Sequence, residues 1–215
     1  MDIIQEVNQA RERIVKYRQD LHRCPETAFE EYKTTAYIKR QLDAMGISYT
    51  PLHPTGIVAE IGKGRGAAAL RADIDALKVK EETGCSFASE HQGYMHACGH
   101  DGHAAILLGA AGILKKYEKE LSKKVFLVFQ PAEETAQGAK LVLESGLLEG
   151  VKEIFGLHIF SGIEAGKISL EAGPRMAATD WFSIDIRGKS GHAGKPHLCT
   201  DASVIAAATV MNLQT

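Results

Sequence analysis

No apolar run in this 215-residue chain approaches the roughly 18 to 20 residues needed to cross a bilayer, which excludes a membrane-spanning helix. The opening Met1-Asp2-Ile3-Ile4-Gln5-Glu6 lacks the basic and apolar regions of a secretory signal. Cysteine is scarce. Cys24, Cys85, Cys98 and Cys199 are scattered without the spacing of a disulfide framework, which predicts reduced thiols and a cytoplasmic location. An excess of one charge is also missing: a formal net charge of -2 and a pI near 6.5 make nucleic acid and anionic membranes poor partners. A small neutral or anionic substrate is expected instead. The glycine-rich Gly62-Lys63-Gly64-Arg65-Gly66 lacks the strand-to-helix context and the following Lys-Ser/Thr of a phosphate loop, so nucleotide binding is discounted.

With 45% hydrophobic residues, the chain can bury a good core. Ile3, Ile4, Val7, Ile14, Tyr17 and Leu21 recur at mostly three- and four-residue steps and stop before Pro25, predicting an amphipathic helix over residues 2 to 22. A second helix is expected from about Thr34 to Met45, ended by Gly46. Ile57 to Ile61 and Ala67 to Ala72 read as two strands joined by the glycine turn, a hairpin. An apolar helix is expected from about Gly102 to Lys119, a doubly buried strand over Val125 to Gln130, a helix from about Gln137 to Ser145, and a strand over Glu153 to Phe160. This alternation predicts an α/β sheet with a site along one edge. Composition shifts near Gly173-Pro174. Beyond it, Thr179 to Gly188 alternates like a strand, and Asp201 caps an Ala-rich helix expected to run to the last residue. One strand and one helix are the start of a second, smaller domain, and the chain reads as cut off.

The chemistry is concentrated between Met95 and His103, where Cys98, His96, His100, Asp101 and His103 crowd together, followed by Glu133-Glu134 and His158. Zinc- or manganese-type ions take these donors. Cys98 and His100, one residue apart, can face one centre; His96 and His103 flank them and stay open as further ligands. Of the two glutamates, one suits a metal and the other proton transfer, although a carboxylate pair at a helix start would look the same. Asp73 and Asp75, at a strand end, suit either ligand orientation or turn formation, with Asp75 favoured for the former. A rival reading makes Cys98 a nucleophile activated by His100 or His103, which leaves the glutamates and His158 without a role.

Together, Arg71 to Leu77, Met95 to His103, Phe129 to Glu134, Gly156-Leu157-His158, and Gly191-His192-Ala193 with Pro196-His197 resemble the dimetal amidohydrolases of the aminoacylase and carboxypeptidase metallopeptidase family. The branch in question holds hippurate hydrolase, N-acyl-amino-acid deacylases and auxin-conjugate hydrolases. The resemblance implies an α/β metallopeptidase-type catalytic domain with a central mixed sheet, here its N-terminal part over residues 1–174. It also implies the start of a ferredoxin-like α+β dimerisation domain over 175–215. It assigns Cys98, His100, Glu134 and His158 to two divalent metal ions, manganese or zinc with cobalt or nickel as alternatives, and makes Glu133 the general base. His192 would be a small-domain histidine reaching a partner's site in a homodimer, and the substrate an N-acyl amino acid. Lys78 stands where the family has proline, and the family's last histidine ligand would lie beyond Thr215. A truncated, non-catalytic metal-binding fragment is therefore the alternative.

Overall fold

Asp2 accepts a hydrogen bond from the Gln5 amide at 3.1 Å and starts α1, Ile3–His22, in the computed structural model, which describes residues 2–214. Its buried stripe is Ala10, Tyr17 and Leu21, while Ile3 and Ile4 in the first turn stay exposed. Helix α2, Tyr32–Ala44, buries Ile38 and Leu42 and stops before Gly46, whose φ of 65° carries no Cβ penalty.

The strands are β1 (Ser48–Pro51), β2 (Ile57–Ile61), β3 (Ala67–Asp73), β4 (Lys124–Gln130) and β5 (Val151–Gly156), and they form one mixed sheet in the order β1-β2-β4-β3-β5. The short β1 carries no periodic apolar signal and has no counterpart among the sequence expectations. The expected hairpin between β2 and β3 does not form: β4 lies between them, antiparallel to β2 and parallel to β3. The reason is burial. Leu127, Val128 and Phe129 are all 1% exposed or less, so both faces of β4 are covered and its backbone needs a neighbour on each side. The glycine segment crosses the start of β4 instead of turning back. A Cβ on Gly64 would fall 2.0 Å from the Ser122 carbonyl oxygen, so only glycine fits that close approach.

Helices α1, α2 and α3 (His100–Lys116) cover one face of the sheet, where Ile38, Leu42, Ile57, Ile61, Leu108, Leu127 and Phe129 form the main core. On the other face Val58, Ala69 and Val128 meet Val142 of the short α4, Gly138–Glu144. Phe129 is fully buried in the central strand, so Phe129→Ala is expected to destabilise the fold by about 3–5 kcal/mol, read as a lower urea midpoint. A loss below about 1 kcal/mol would contradict this packing.

The chain divides into two units, one ending at Glu164 and the other starting at Ala165, so the composition shift at Gly173-Pro174 lies within the second. In that second unit the Asp201 carboxylate accepts from the Ser203 and Val204 amides and caps α5, Ala202–Asn212. The helix therefore ends at Asn212 and does not run on to the last residue, Thr215, which is outside the described residues. The strand expected over Thr179 to Gly188 is also absent. Alternation decides which way side chains point, but a ladder needs a second strand, and no described residue pairs with that segment. Trp181 and Phe182, on opposite faces of the alternation, are both exposed. No helix among the described residues is long and apolar enough to cross a membrane.

Candidate metal centre

Strands β3, β4 and β5 run parallel, with Asp73 opposite Gln130 at the ends of β3 and β4. The carboxyl ends of such strands open into the crevice where α/β sheets bind ligands. Asp73 and Asp75 stand at the end of β3, Glu133 and Glu134 follow β4, and His158 follows β5. Cys98 and His100 flank Gly99, which opens α3 in the left-handed conformation at φ 85°.

His100 is fully buried. Its Nδ1 donates to the Asp75 carbonyl oxygen at 3.0 Å, with Asp75 Oδ1 at 3.2 Å, so the lone pair sits on Nε2. That Nε2 has no hydrogen-bond partner among the described residues and faces Glu133 Oε2 at 3.8 Å, Glu134 Oε1 at 3.9 Å and Asp73 Oδ2 at 3.7 Å. Glu134 Oε1 is likewise buried without a partner. The Cys98 thiol lies 3.4 Å from His158 Nε2, and its sulfur forms with His100 and His158 one set of donors within 4.8 Å of one another. His100, Glu133 and Glu134 form a second such set. Buried lone pairs facing carboxylates, with no donor to satisfy them, are a seat for cations.

Charge agrees. Burial, and then Glu134 and Glu133, push the Cys98 thiol up to about 11, and burial also raises Glu134. Burial alone would lower His100, but the Asp75 hydrogen bond and the surrounding carboxylates outweigh it and raise the group. A cysteine nucleophile needs the opposite environment, one that depresses the thiol, so these surroundings disfavour that chemistry. They favour a thiolate formed only against a cation.

A second layer fixes the donors. Asp75 Oδ2 accepts from the Glu134 amide at 3.0 Å, so one aspartate orients both a histidine and a glutamate. Burial would raise Asp73, but its bond from His103, the charge of His100 and Arg71 Nη1 at 2.7 Å hold it at about 2. A native carboxyl below its unfolded value of about 3.9 adds stability above that value, lost as pH falls toward 2. The contribution is about 2 kcal/mol. Asp73→Asn is expected to flatten the acid limb of a pH–stability curve between about pH 4 and 2. An unchanged limb would contradict the assignment.

Sequence reasoning missed Glu31, which carries no motif signal. It is fully buried; Oε1 accepts from the Ala132 amide at 2.8 Å and Oε2 from the Thr55 hydroxyl at 2.5 Å. Ala132 is held at φ 50°, immediately before the two glutamates, so Glu31 anchors the strained start of their turn. Gly138 closes that turn, donating to the Ala132 carbonyl at 3.0 Å where a Cβ would collide with Pro131 O at 1.5 Å.

Of the flanking histidines, His103 has both ring nitrogens occupied and is not free to ligate: Nδ1 bonds Asp73 Oδ1 at 2.5 Å and Nε2 accepts from the Ile159 amide at 2.9 Å. His96 is buried, and burial drops it to about 4, leaving it neutral. A separate group, His22, Glu81 and Cys85, also offers metal-type donors. There His22 bonds Asp101 at 2.8 Å and Glu81 at 3.2 Å, and the Asp101 bond raises its pKa. Both His22 ring nitrogens are taken by carboxylate oxygens, so neither is free to ligate and this group is a hydrogen-bonded network tying α1 to the start of α3. Cys98, His100, Glu133, Glu134 and His158 thus come together around one centre, with Asp75 behind His100. His192 lies in the second unit, exposed, its Nδ1 accepting from the Gly194 amide at 3.0 Å.

Residues 69–211 match the family described as Peptidase family M20/M25/M40. The chain is 47% identical over 205 residues to an N-acetyl-L-cysteine deacetylase of Bacillus subtilis, covering 94% of this chain and 49% of that protein. It is 43% identical over 203 residues to the IAA-amino acid hydrolase ILR1-like 4 of Arabidopsis thaliana, covering 94% and 46%. Among solved structures, it superposes with a TM-score of 0.73 on a dinuclear metal binding peptidase of the M20 family from Bacillus subtilis. That pair is 45% identical, with 76% of this chain and 47% of the other covered. The chain spans about half the length of the curated relatives it matches.

Proposed function

Because the chain belongs to peptidase family M20/M25/M40, we propose that it is the N-terminal part of a metal-dependent amidohydrolase that cleaves N-acyl amino acids into a carboxylate and an amine. The observation that carries this reading is the buried, unpartnered Nε2 of His100 facing both glutamates, with Cys98 and His158 beside it. Cys98, His100, Glu134 and His158 would hold two divalent ions, and the mixed sulfur, nitrogen and oxygen donors suit zinc or manganese, with cobalt or nickel as alternatives. When bound, the ions supply Lewis acidity to a water and to the amide carbonyl.

The chain's own groups do the rest. Glu133, the more exposed of the pair at 38% against 22% for Glu134, takes a proton from the attacking water. As the carbon–oxygen bond forms and the carbon–nitrogen bond breaks, Glu133 passes that proton to the leaving nitrogen. Asp75 keeps the His100 lone pair aimed at the centre. His192 would donate to the developing oxyanion of a second copy, reached through a ferredoxin-like dimerisation domain that residues 175–215 begin. The exposed Trp181, Phe182, Val204 and Met211 in this region suit such an interface. The four free thiols suit a reducing cytoplasm.

The substrate class follows the relatives, one named for N-acetyl-L-cysteine and the other for IAA-amino acids. Hippurate-like and N-acetyl amino acids are the first compounds to try. The test is a panel of N-acyl amino acids offered to the full-length parent protein loaded with manganese or zinc. Release of free amino acid, abolished by a chelator and restored by metal, is expected. A fully metallated parent that hydrolyses no linear amide in the panel would overturn the reading.

A further inference from the structure

His158 is only partly buried, and Ile159 beside it is 47% exposed, so packing alone does not fix this ring. Hydrogen bonds do. His158 Nδ1 donates to the Ile159 carbonyl oxygen at 2.8 Å, which leaves the lone pair on Nε2, next to Cys98. The amide of the same Ile159 donates to His103 Nε2 at 2.9 Å. An acceptor Nε2 leaves the His103 proton on Nδ1, where it meets Asp73 Oδ1 at 2.5 Å, and Arg71 in turn holds the other oxygen of Asp73. The two rings stand edge to face with centroids 4.7 Å apart. The Ile159 side chain rests on the first turn of α3, where an added Cβ on Gly99 would lie 3.5 Å from its Cβ.

We infer that His103 is a positioning residue: through the main chain of Ile159 it sets the ring orientation and tautomer of His158, with Asp73 fixing the tautomer of His103 itself. The inference rests on the proposed role of His158 as a metal ligand and adds how that ligand is held. A helix residue thereby controls a donor that follows a strand, across the space between α3 and the end of β5. Partners of this kind behind a ligating histidine contribute about 10–100-fold in metal affinity.

Two substitutions separate the bonds. His103→Asn keeps a donor for Asp73 but is too short to reach the Ile159 amide; His103→Gln places an acceptor near the position of Nε2. Manganese and zinc affinities would be measured by calorimetry on the full-length parent protein, alongside long-range proton–nitrogen NMR of the imidazoles. His103→Asn is expected to weaken binding about 10–100-fold and to mix the His158 tautomers, whereas His103→Gln recovers most of both. In a His158→Ala background, His103→Asn should add almost no further loss, which a general effect on folding would not reproduce. Wild-type affinity and an unmixed His158 tautomer in His103→Asn would overturn the inference. So would an undiminished loss in the His158→Ala background, or loss of one metal-bound imidazole in the X-ray absorption spectra of both variants, the signature of direct ligation. If the unsubstituted parent protein binds no metal, the metal-site reading fails, and the NMR tautomer still decides whether His103 governs His158.

Discussion

Glu133→Gln in the full-length parent is expected to lower turnover by about 10²–10⁴-fold or more while leaving metal content close to wild type. Glutamine keeps the shape of the side chain and cannot accept a proton from the attacking water. Glu134→Gln should do the reverse first: a neutral amide is a poorer donor to a divalent ion than a carboxylate, so metal is lost and activity falls with it. The geometry supports this division. Both carboxylates approach His100 Nε2 to within 3.9 Å, but only Glu134 has its amide held by Asp75 and a buried, unpartnered oxygen, whereas Glu133 is the more open to water. Metal analysis and steady-state kinetics on the two variants decide it. Equal metal loss in both would show that the roles are shared.

Metal affinity should rise steeply with pH, because the centre must release protons to bind. Burial and the neighbouring glutamates hold the Cys98 thiol at about 11, so below that value the metal-free centre carries a thiol, and binding an ion expels its proton. One expelled proton corresponds to about a tenfold gain in apparent affinity per pH unit, here across pH 7 to 9. Calorimetry in buffers of different ionisation enthalpy counts the protons directly. Cys98→Ala should bind more weakly and lose this slope. A pH-independent affinity in the unsubstituted protein, or an acyl group trapped on Cys98, would defeat the metal-thiolate assignment.

The candidate donors were legible in the chain because their chemistry is written in residue type. Cys98, His100, the Glu133-Glu134 pair and His158 are a combination that few structural needs explain, and all but His158 lie beside a periodic apolar segment whose end could be located. Helices α1 to α4 and strands β2 to β4 were legible for the same reason, apolar residues recurring along each. The strand expected over Glu153 to Phe160 instead runs from Val151 to Gly156 and stops before His158, mostly exposed and without a clear apolar period. What periodicity cannot carry is pairing. β2 and β3 look like a hairpin until β4, which is buried on both faces, takes the place between them. The alternation from Thr179 to Gly188 has no ladder among the described residues, since hydrogen-bond partners come from elsewhere in space.

The supporting residues were out of reach for a related reason. Glu31 carries no signal in sequence, and Asp73 and His103 could be read there only as an orienting or turn-forming carboxylate and an open ligand. What each does comes from partners far along the chain, Ala132, His103 and Ile159 respectively. The sequence by itself determined which atoms could ligate a metal and which segments could bury a face, because these are properties of side chains and their local spacing. The tertiary structure alone decided which lone pairs remain free, since a nitrogen such as His103 Nε2 is a ligand or a tether according to what the fold places opposite it.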